Sequence, residues 1–455
     1  MIKRLLISIY FLLFVLTIYA QKESQNCGAE IPTNLWENEF QHLIYEYKQR
    51  HNHQIKSDTV YTIPIIFHVI HGGQTIGTFP NISQDQINSQ ITVLNQDFSG
   101  NGFNSSSYPS TAYTSWAINQ ALSPNNVDSL GRVKIADVGI QFCLAAKDTN
   151  GNLLPEPGIN RINYLSLNLP NPSNYSTQAT MKSYLDDILK PQTIWNVTKY
   201  LNVWITDKYD SLNYTGVSSV PPLTGLIGIP NNSTESTDGI WCFAKVIGSN
   251  NLFPNGIYGS PLVEGRTLTH EVGHYLGLRH IWGDGACATD YCQDTPPAAT
   301  QNIGTPSAYP INVGSCSSPS NSPDGEMYMN FMDYSRDPYK YMFTTDQTIR
   351  MHTAMLNSPF RNQLGTHGLC SGALGLNDVG IDKNVTLYPN PAKTELNVNV
   401  SHNETYEVSI GNLLGKVLIL GQNQNRMDIA DLPNGIYIVT IKQGYNKFTQ
   451  KFTKE

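Results

Sequence analysis

Between His270 and His280 the chain reads HEVGHYLGLRH, which sets three imidazoles and one carboxylate within three helical turns of one another. On a helix, residues four apart stand one turn above each other, so the rings of His270 and His274 can converge on one cation. Glu271 is rotated away from that axis, where a carboxylate suits a general base acting on water better than it suits a ligand. Gly277 accounts for the third imidazole: a residue that tolerates positive φ ends the helix abruptly and turns His280 back toward the same ion. Three neutral imidazoles leave a fourth tetrahedral position for water, the arrangement of a catalytic zinc rather than a structural one. The plainer alternative is an amphipathic helix buried through Leu268, Val272, Tyr275 and Leu276. It accounts for the apolar residues and leaves the histidines, the glutamate and the glycine unexplained.

Such a site needs a helix over 263–276 held against a rigid layer. Apolar runs predict strands over 64–70, 139–144 and 200–206, and a polar-apolar period predicts a helix over 83–98. Together they describe a twisted mixed sheet with backing helices. After Gly277 the sequence turns irregular up to a last helix over 345–356.

The elongated motif through Gly277 and His280, with Met332 in NFMDYSRDPYKYMFT, carries the metzincin signature. The wording GRTLTHEVGHYLGLRHIWGDG, followed by DYCQDTP and NFMDY, resembles the pappalysin family in its bacterial cytophagalysin branch. YTIPIIFHVIH, NISQDQINSQITVLNQDF and IQFCLAAKDTNGN extend the resemblance over most of 61–351. It implies an α+β metzincin catalytic domain over 57–372 and a zinc-dependent endopeptidase acting on protein or peptide substrates. Met332 is expected as a packed thioether floor beneath the histidines, and Tyr334 as the hydroxyl that stabilises the oxyanion. Asp337 matches a carboxylate at the base of the pocket for the residue just after the scissile bond. That predicts cleavage before Arg and, less well, Lys, unless Arg336 or another local base neutralises it. The resemblance also pairs Cys287 with Cys316 and suggests calcium in the acidic segment 284–295. Tyr339 stands where relatives carry a cysteine of a second bridge.

The N-terminal residues 1–20 combine Lys3 and Arg4 with an apolar run too short to span a bilayer comfortably, which reads as a signal peptide. Residues 21–56 form a polar propeptide with a predicted helix over 37–49. Cys27 there is a candidate latency switch, its thiolate filling the open metal position, with a disulfide partner as the equal alternative. Cutting after Arg50 or Lys56 would then activate the enzyme. Seven cysteines in an exported chain suggest up to three bridges and one thiol left over, with the pairing of Cys143, Cys242, Cys292 and Cys370 open.

A small-residue linker over 373–384 precedes short alternating runs over 385–455, which predict an antiparallel β-sandwich. LYPNPAKTELNV, IADLPNGIYIVTIK and KFTQKFTKE resemble the C-terminal sorting domain of the type IX secretion system, implying that machinery as a partner. A glycan-binding or adhesive sandwich is the other reading. Only 14% of the 455 residues are charged, the net charge is −7, and no basic block suits nucleic acid. No later segment is apolar for long enough to be a transmembrane helix, so a secreted protein is expected. The rival function is a noncatalytic surface or matrix-binding protein that keeps the metal fold as a scaffold, against which the intact Glu271 argues.

Overall fold

The computed structural model describes residues 26–28, 32–51, 60–223, 233–316, 323–370, 385–400, 405–412, 417–443 and 446–455. The expected signal peptide, the linker and Lys56 lie outside them.

A seven-stranded mixed sheet forms the frame, in the order β1 (Asn26–Cys27), β6 (Tyr214–Ser218), β7 (Ile240–Phe243), β5 (Leu201–Thr206), β2 (Tyr61–His71), β3 (Ile140–Leu144). β4 (Ile159–Asn163) extends the β3 edge by pairing with the second half of β2. Every pair in the sheet is parallel except β6 with β7. β2 has a continuous apolar run because both of its faces are covered, as central parallel strands require. Its residues Ile63, Ile65, Phe67 and Val69 enter the main core, while Ile66 and Ile70 pack on the opposite face.

Helix α2 (Gln84–Phe98), N-capped by Ser83, lays Ile87, Ile91, Leu94 and Phe98 on the main-core face. Short helices α3 (Thr114–Asn119), α4 (Gln178–Ser183) and α5 (Lys190–Thr193) flank the sheet. Under its β6–β7 margin runs α6 (Arg266–Tyr275), buried along its whole length and carrying the histidine motif. It starts three residues later than the sequence suggests because Gly265, at φ +76, breaks the helical path just ahead of it. Beyond α6, the only helical elements among the described residues before Cys370 are a 3-10 turn (Asp337–Tyr339) and α7 (Thr345–Asn357), the latter held by a Thr344–Gln347 capping box. The irregular lobe expected from the sequence is thus observed, and the Cys287–Cys316 disulfide staples it.

The helix predicted over 37–49, observed as α1 (Asn34–Arg50), is N-capped by Thr33 and docks against α7. Trp36, Phe40, Ile44 and Tyr47 join Ile349 and Ala354 in a separate apolar cluster.

The cysteine arithmetic needs correction. Cys143 pairs with Cys370, tying β3 to the end of the catalytic part, while Cys27, Cys242 and Cys292 remain as thiols, so the described residues contain two bridges rather than three. Cys242 and Cys292 are buried in different places, on a sheet strand and in the irregular lobe.

The C-terminal region forms two antiparallel sheets, β11 (Val417–Gln422)–β10 (Glu407–Gly411)–β13 (Gly435–Gln443)–β14 (Asn446–Lys454) and β12 (Arg426–Asp428)–β9 (Glu395–Val400)–β8 (Val385–Tyr388). They enclose Leu396, Val398, Val408, Ile410, Val439, Ile441 and Phe452. β12 has only three residues, too few for its alternation to be read from sequence. Among the described residues no helix is long and apolar enough to cross a membrane.

Candidate active site

The i, i+4 spacing on α6 stacks His270 and His274 on one face, and the helix ends where Gly277 adopts φ +91. The Leu278 amide returns to Gly273 O at 2.9 Å and the Gly277 amide to His274 O at 2.9 Å, a Schellman closure that reverses the chain. His280 is thereby delivered to the other two rings. His274 Nε2 lies 3.1 Å from His270 Nε2 and 3.1 Å from His280 Nε2.

The outward nitrogens decide what those inner ones are. His270 Nδ1 faces Phe331 O at 2.7 Å, His274 Nδ1 faces Leu278 O at 2.9 Å, and His280 Nδ1 meets the Asp284 carboxylate. Each of these partners is an acceptor, so each Nδ1 carries the proton and each Nε2 presents a lone pair inward. Three lone pairs facing one another at such distances repel unless a cation lies among them, and this donor set fits zinc. Burial and the neighbouring rings push His270 far below the usual imidazole range and His274 down to about 3, so both stay neutral, as ligands must. Asp284 was read only as part of an acidic run; its role as the orienting carboxylate of His280 shows only in three dimensions. Burial opposes its ionisation, yet the His280 bond and nearby cations hold it below the ordinary carboxylate value.

Met332 lies fully buried beneath the histidines, and a β-carbon on Gly273 would collide with its sulfur. The glycine in HEVGH therefore keeps the helix down on the methionine turn. On the opposite side a β-carbon at Gly216 of β6 would stand 2.5 Å from Glu271 Oε1. Glu271 lines a cleft together with Cys27, Thr215, Leu262, Thr267, His270, Tyr334 and Lys340. Burial raises its carboxyl to about 8, against the opposing pull of Cys27 and Lys340.

Tyr334 closes the cleft, its hydroxyl 3.1 Å from His280 Nε2 and accepting the Cys27 amide at 3.0 Å. Cys27 stands beside them: its sulfur and the three histidine nitrogens all lie within 4.8 Å of one another, and it donates to Glu271 Oε2 at 3.5 Å. Two residues of β1 hold it there, parallel to the β6 edge, with the Gly28 amide bonded to Gly216 O.

Asp337 is fully buried behind the cleft. Its Oδ2 accepts the Glu264 amide at 2.9 Å, while Oδ1 has no hydrogen-bond partner among the described residues. The base that meets it is Lys340, 3.9 Å away. Sequence reasoning missed Lys340, because a lone lysine after the methionine turn gives no local signal of where its ammonium goes.

The acidic run 284–295 is engaged internally: Asp290 accepts from the Thr295 hydroxyl and the Cys292 amide, and Asp294 from Asn126, Thr344 and the Asp346 amide.

A histidine trio closed by a glycine turn, over a methionine and under an antiparallel edge strand, defines a metzincin-type metallopeptidase. Residues 183–356 match the family described as Pregnancy-associated plasma protein-A, and 386–455 match the secretion system C-terminal sorting domain. Mature mirolysin of Tannerella forsythia, solved with a cleaved peptide, is 30% identical with a TM-score of 0.50, covering 68% of this chain and 96% of that one. A promirolysin mutant from the same organism is 27% identical with a TM-score of 0.52, covering 75% of this chain and 97% of the other. The chain belongs to the pappalysin family of metalloproteases. An extracellular metalloprotease of Colletotrichum graminicola is 36% identical over 147 residues, 32% of this chain and 49% of that protein. Extracellular metalloprotease 1 of Coccidioides posadasii is 35% identical over 145 residues, 31% and 49% respectively. The chain thus spans about half the length of these curated relatives. The sorting module and the extracellular relatives mark an exported protein.

Proposed function

We propose that the protein is a secreted zinc endopeptidase made as a latent precursor. The observation that carries this is the convergence of three inward Nε2 lone pairs beside a buried carboxylate that is not one of them. Zinc held by His270, His274 and His280 would supply Lewis acidity, activating water and polarising the scissile carbonyl. Glu271 takes the proton from the attacking water and passes it to the leaving amine. The Tyr334 hydroxyl donates to the developing oxyanion, and its distance from His280 supports that placement. The β6 edge gives an extended substrate a strand to pair with once β1 is gone.

Latency would follow from Cys27, whose sulfur lies within 4.8 Å of the three histidine nitrogens as a fourth ligand would, and whose strand occupies that edge. Among substrates, Asp337 would draw Arg or Lys just after the scissile bond only if its carboxylate, fully buried in this structure, were open to the cleft. Calcium in the segment 284–295 would have to be held largely by backbone carbonyls, given how its buried carboxylates are engaged. A shift in melting temperature between calcium and a calcium-selective chelator tests that point.

The deciding experiment follows hydrolysis of a mixed peptide library by the matured protein. A zinc chelator is expected to abolish it, and Glu271→Ala to lower it by about 10³-fold or more with zinc content unchanged. Zinc-loaded protein with no hydrolysis would instead favour the scaffold reading.

A further inference from the structure

The cleft beside Glu271 is lined by Lys340 and not by Asp337. Lys340 lines it together with His270, Glu271, Thr267 and Leu262, whereas Asp337 is fully buried and is not among the lining residues. The ammonium stands 3.9 Å from Asp337 Oδ1, the oxygen that lacks a hydrogen-bond donor. Arg266, a second cation nearby, is committed elsewhere: to Asp97 at 3.0 Å, to Asn104 Oδ1 and Asp337 O at 2.7 Å each, and to Lys340 O. Lys340, which lines the cleft, is thus the cation whose ion pair with the Asp337 carboxylate the structure shows.

We propose that Lys340 is the specificity-determining residue of this cleft and turns it from a receptor for Arg into one for acidic side chains. The inference rests on the peptidase reading and refines the substrate of the same site. A guanidinium entering the cleft would meet the lysine before it reached Asp337, and displacing the lysine would leave a second cation with little water around it. A glutamate or aspartate side chain instead completes a carboxylate–ammonium–carboxylate chain with Asp337 at its inner end. Such discrimination between partners by a fixed unlike charge is a general source of specificity.

The test uses the matured protein carrying Glu271→Ala, so that binding is read without turnover. Two peptides identical except for Glu or Arg just after the would-be scissile bond are titrated by calorimetry. The Glu peptide is expected to bind roughly tenfold more tightly or better, and Lys340→Met should reverse the order. Lys340→Gln, which keeps the length and removes the charge, should at least abolish the difference. In parallel, cleavage of a peptide library by the otherwise unaltered enzyme should yield acidic residues after the cut, shifting to Arg in Lys340→Met. Tighter binding of the Arg peptide with Lys340 in place, or an unaltered order in both lysine variants, overturns the proposal. A protein that binds the Glu peptide selectively yet cleaves nothing would sink the peptidase reading and leave the role of Lys340 standing.

Discussion

Cys27 and Glu271 share one small volume, and the two residues oppose each other functionally. The thiol lies near the three imidazole nitrogens and donates to the Glu271 carboxylate, so in the proposed mechanism one side chain blocks both the metal corner and the proton acceptor. Replacing it should free both. The uncleaved Cys27→Ala precursor is expected to hydrolyse peptides about tenfold or more faster than the uncleaved parent, measured alongside gels that show the propeptide still attached. A precursor that stays inactive until cut would mean that the strand pairing of β1, rather than its sulfur, imposes latency. At this scale the sequence was highly readable for His270, Glu271, His274, Gly277 and His280, because their relation is set by helical pitch and one turn. Asp284 and Lys340 were not readable, since their roles depend on where a loop returns.

The propeptide helix α1 shows what an element adds. It buries Glu37 between Arg350 of α7, at 2.7 and 3.2 Å, and Arg279, at 3.8 Å, and Arg279 in turn meets the Asp284 that orients His280. Removing one partner from a buried ion pair leaves the other charge uncompensated, which costs about 3–5 kcal/mol. Glu37→Ala should therefore lower the unfolding free energy of the precursor by that order in urea titrations. The matured enzyme made from it after α1 has been removed should match its parent. Equal stability of the two precursors would show that the pair contributes nothing net. Cleavage after Arg50 cuts at the end of α1, so release of the helix, and not the cut alone, has to break this contact.

At the scale of the whole molecule, the irregular lobe closes over carboxylates such as Asp290, whose hydrogen bonds come from neutral donors. Burial raises Asp290 to about 7, against hydrogen bonds from Thr295 and the Cys292 amide. Because this lies above the ordinary value of about 3.9, the folded chain keeps a proton that the unfolded chain releases. The associated stability is fully present below about pH 4 and is lost as pH rises through about 7. Asp290→Asn is thus expected to flatten the decline in melting temperature between pH 5 and 8, with the largest gain over the parent at the alkaline end. Parallel curves for the two proteins would show that Asp290 is ionised throughout.

What the sequence alone determined was local and periodic. The i, i+4 histidines, the helix-ending glycine, the apolar run of β2, and the alternating strands of the sandwich are all set by backbone geometry acting over a few residues. The methionine turn and the Cys287–Cys316 staple were legible through wording shared with a family. Only the tertiary structure decided the pairing of Cys143 with Cys370, the meeting of Cys27 with the imidazoles across more than two hundred residues, and the placing of Lys340 in front of Asp337. Those are contacts between segments far apart in the chain. Burial and charge at such contacts depend on how the lobes pack, a property that no short window of residues contains.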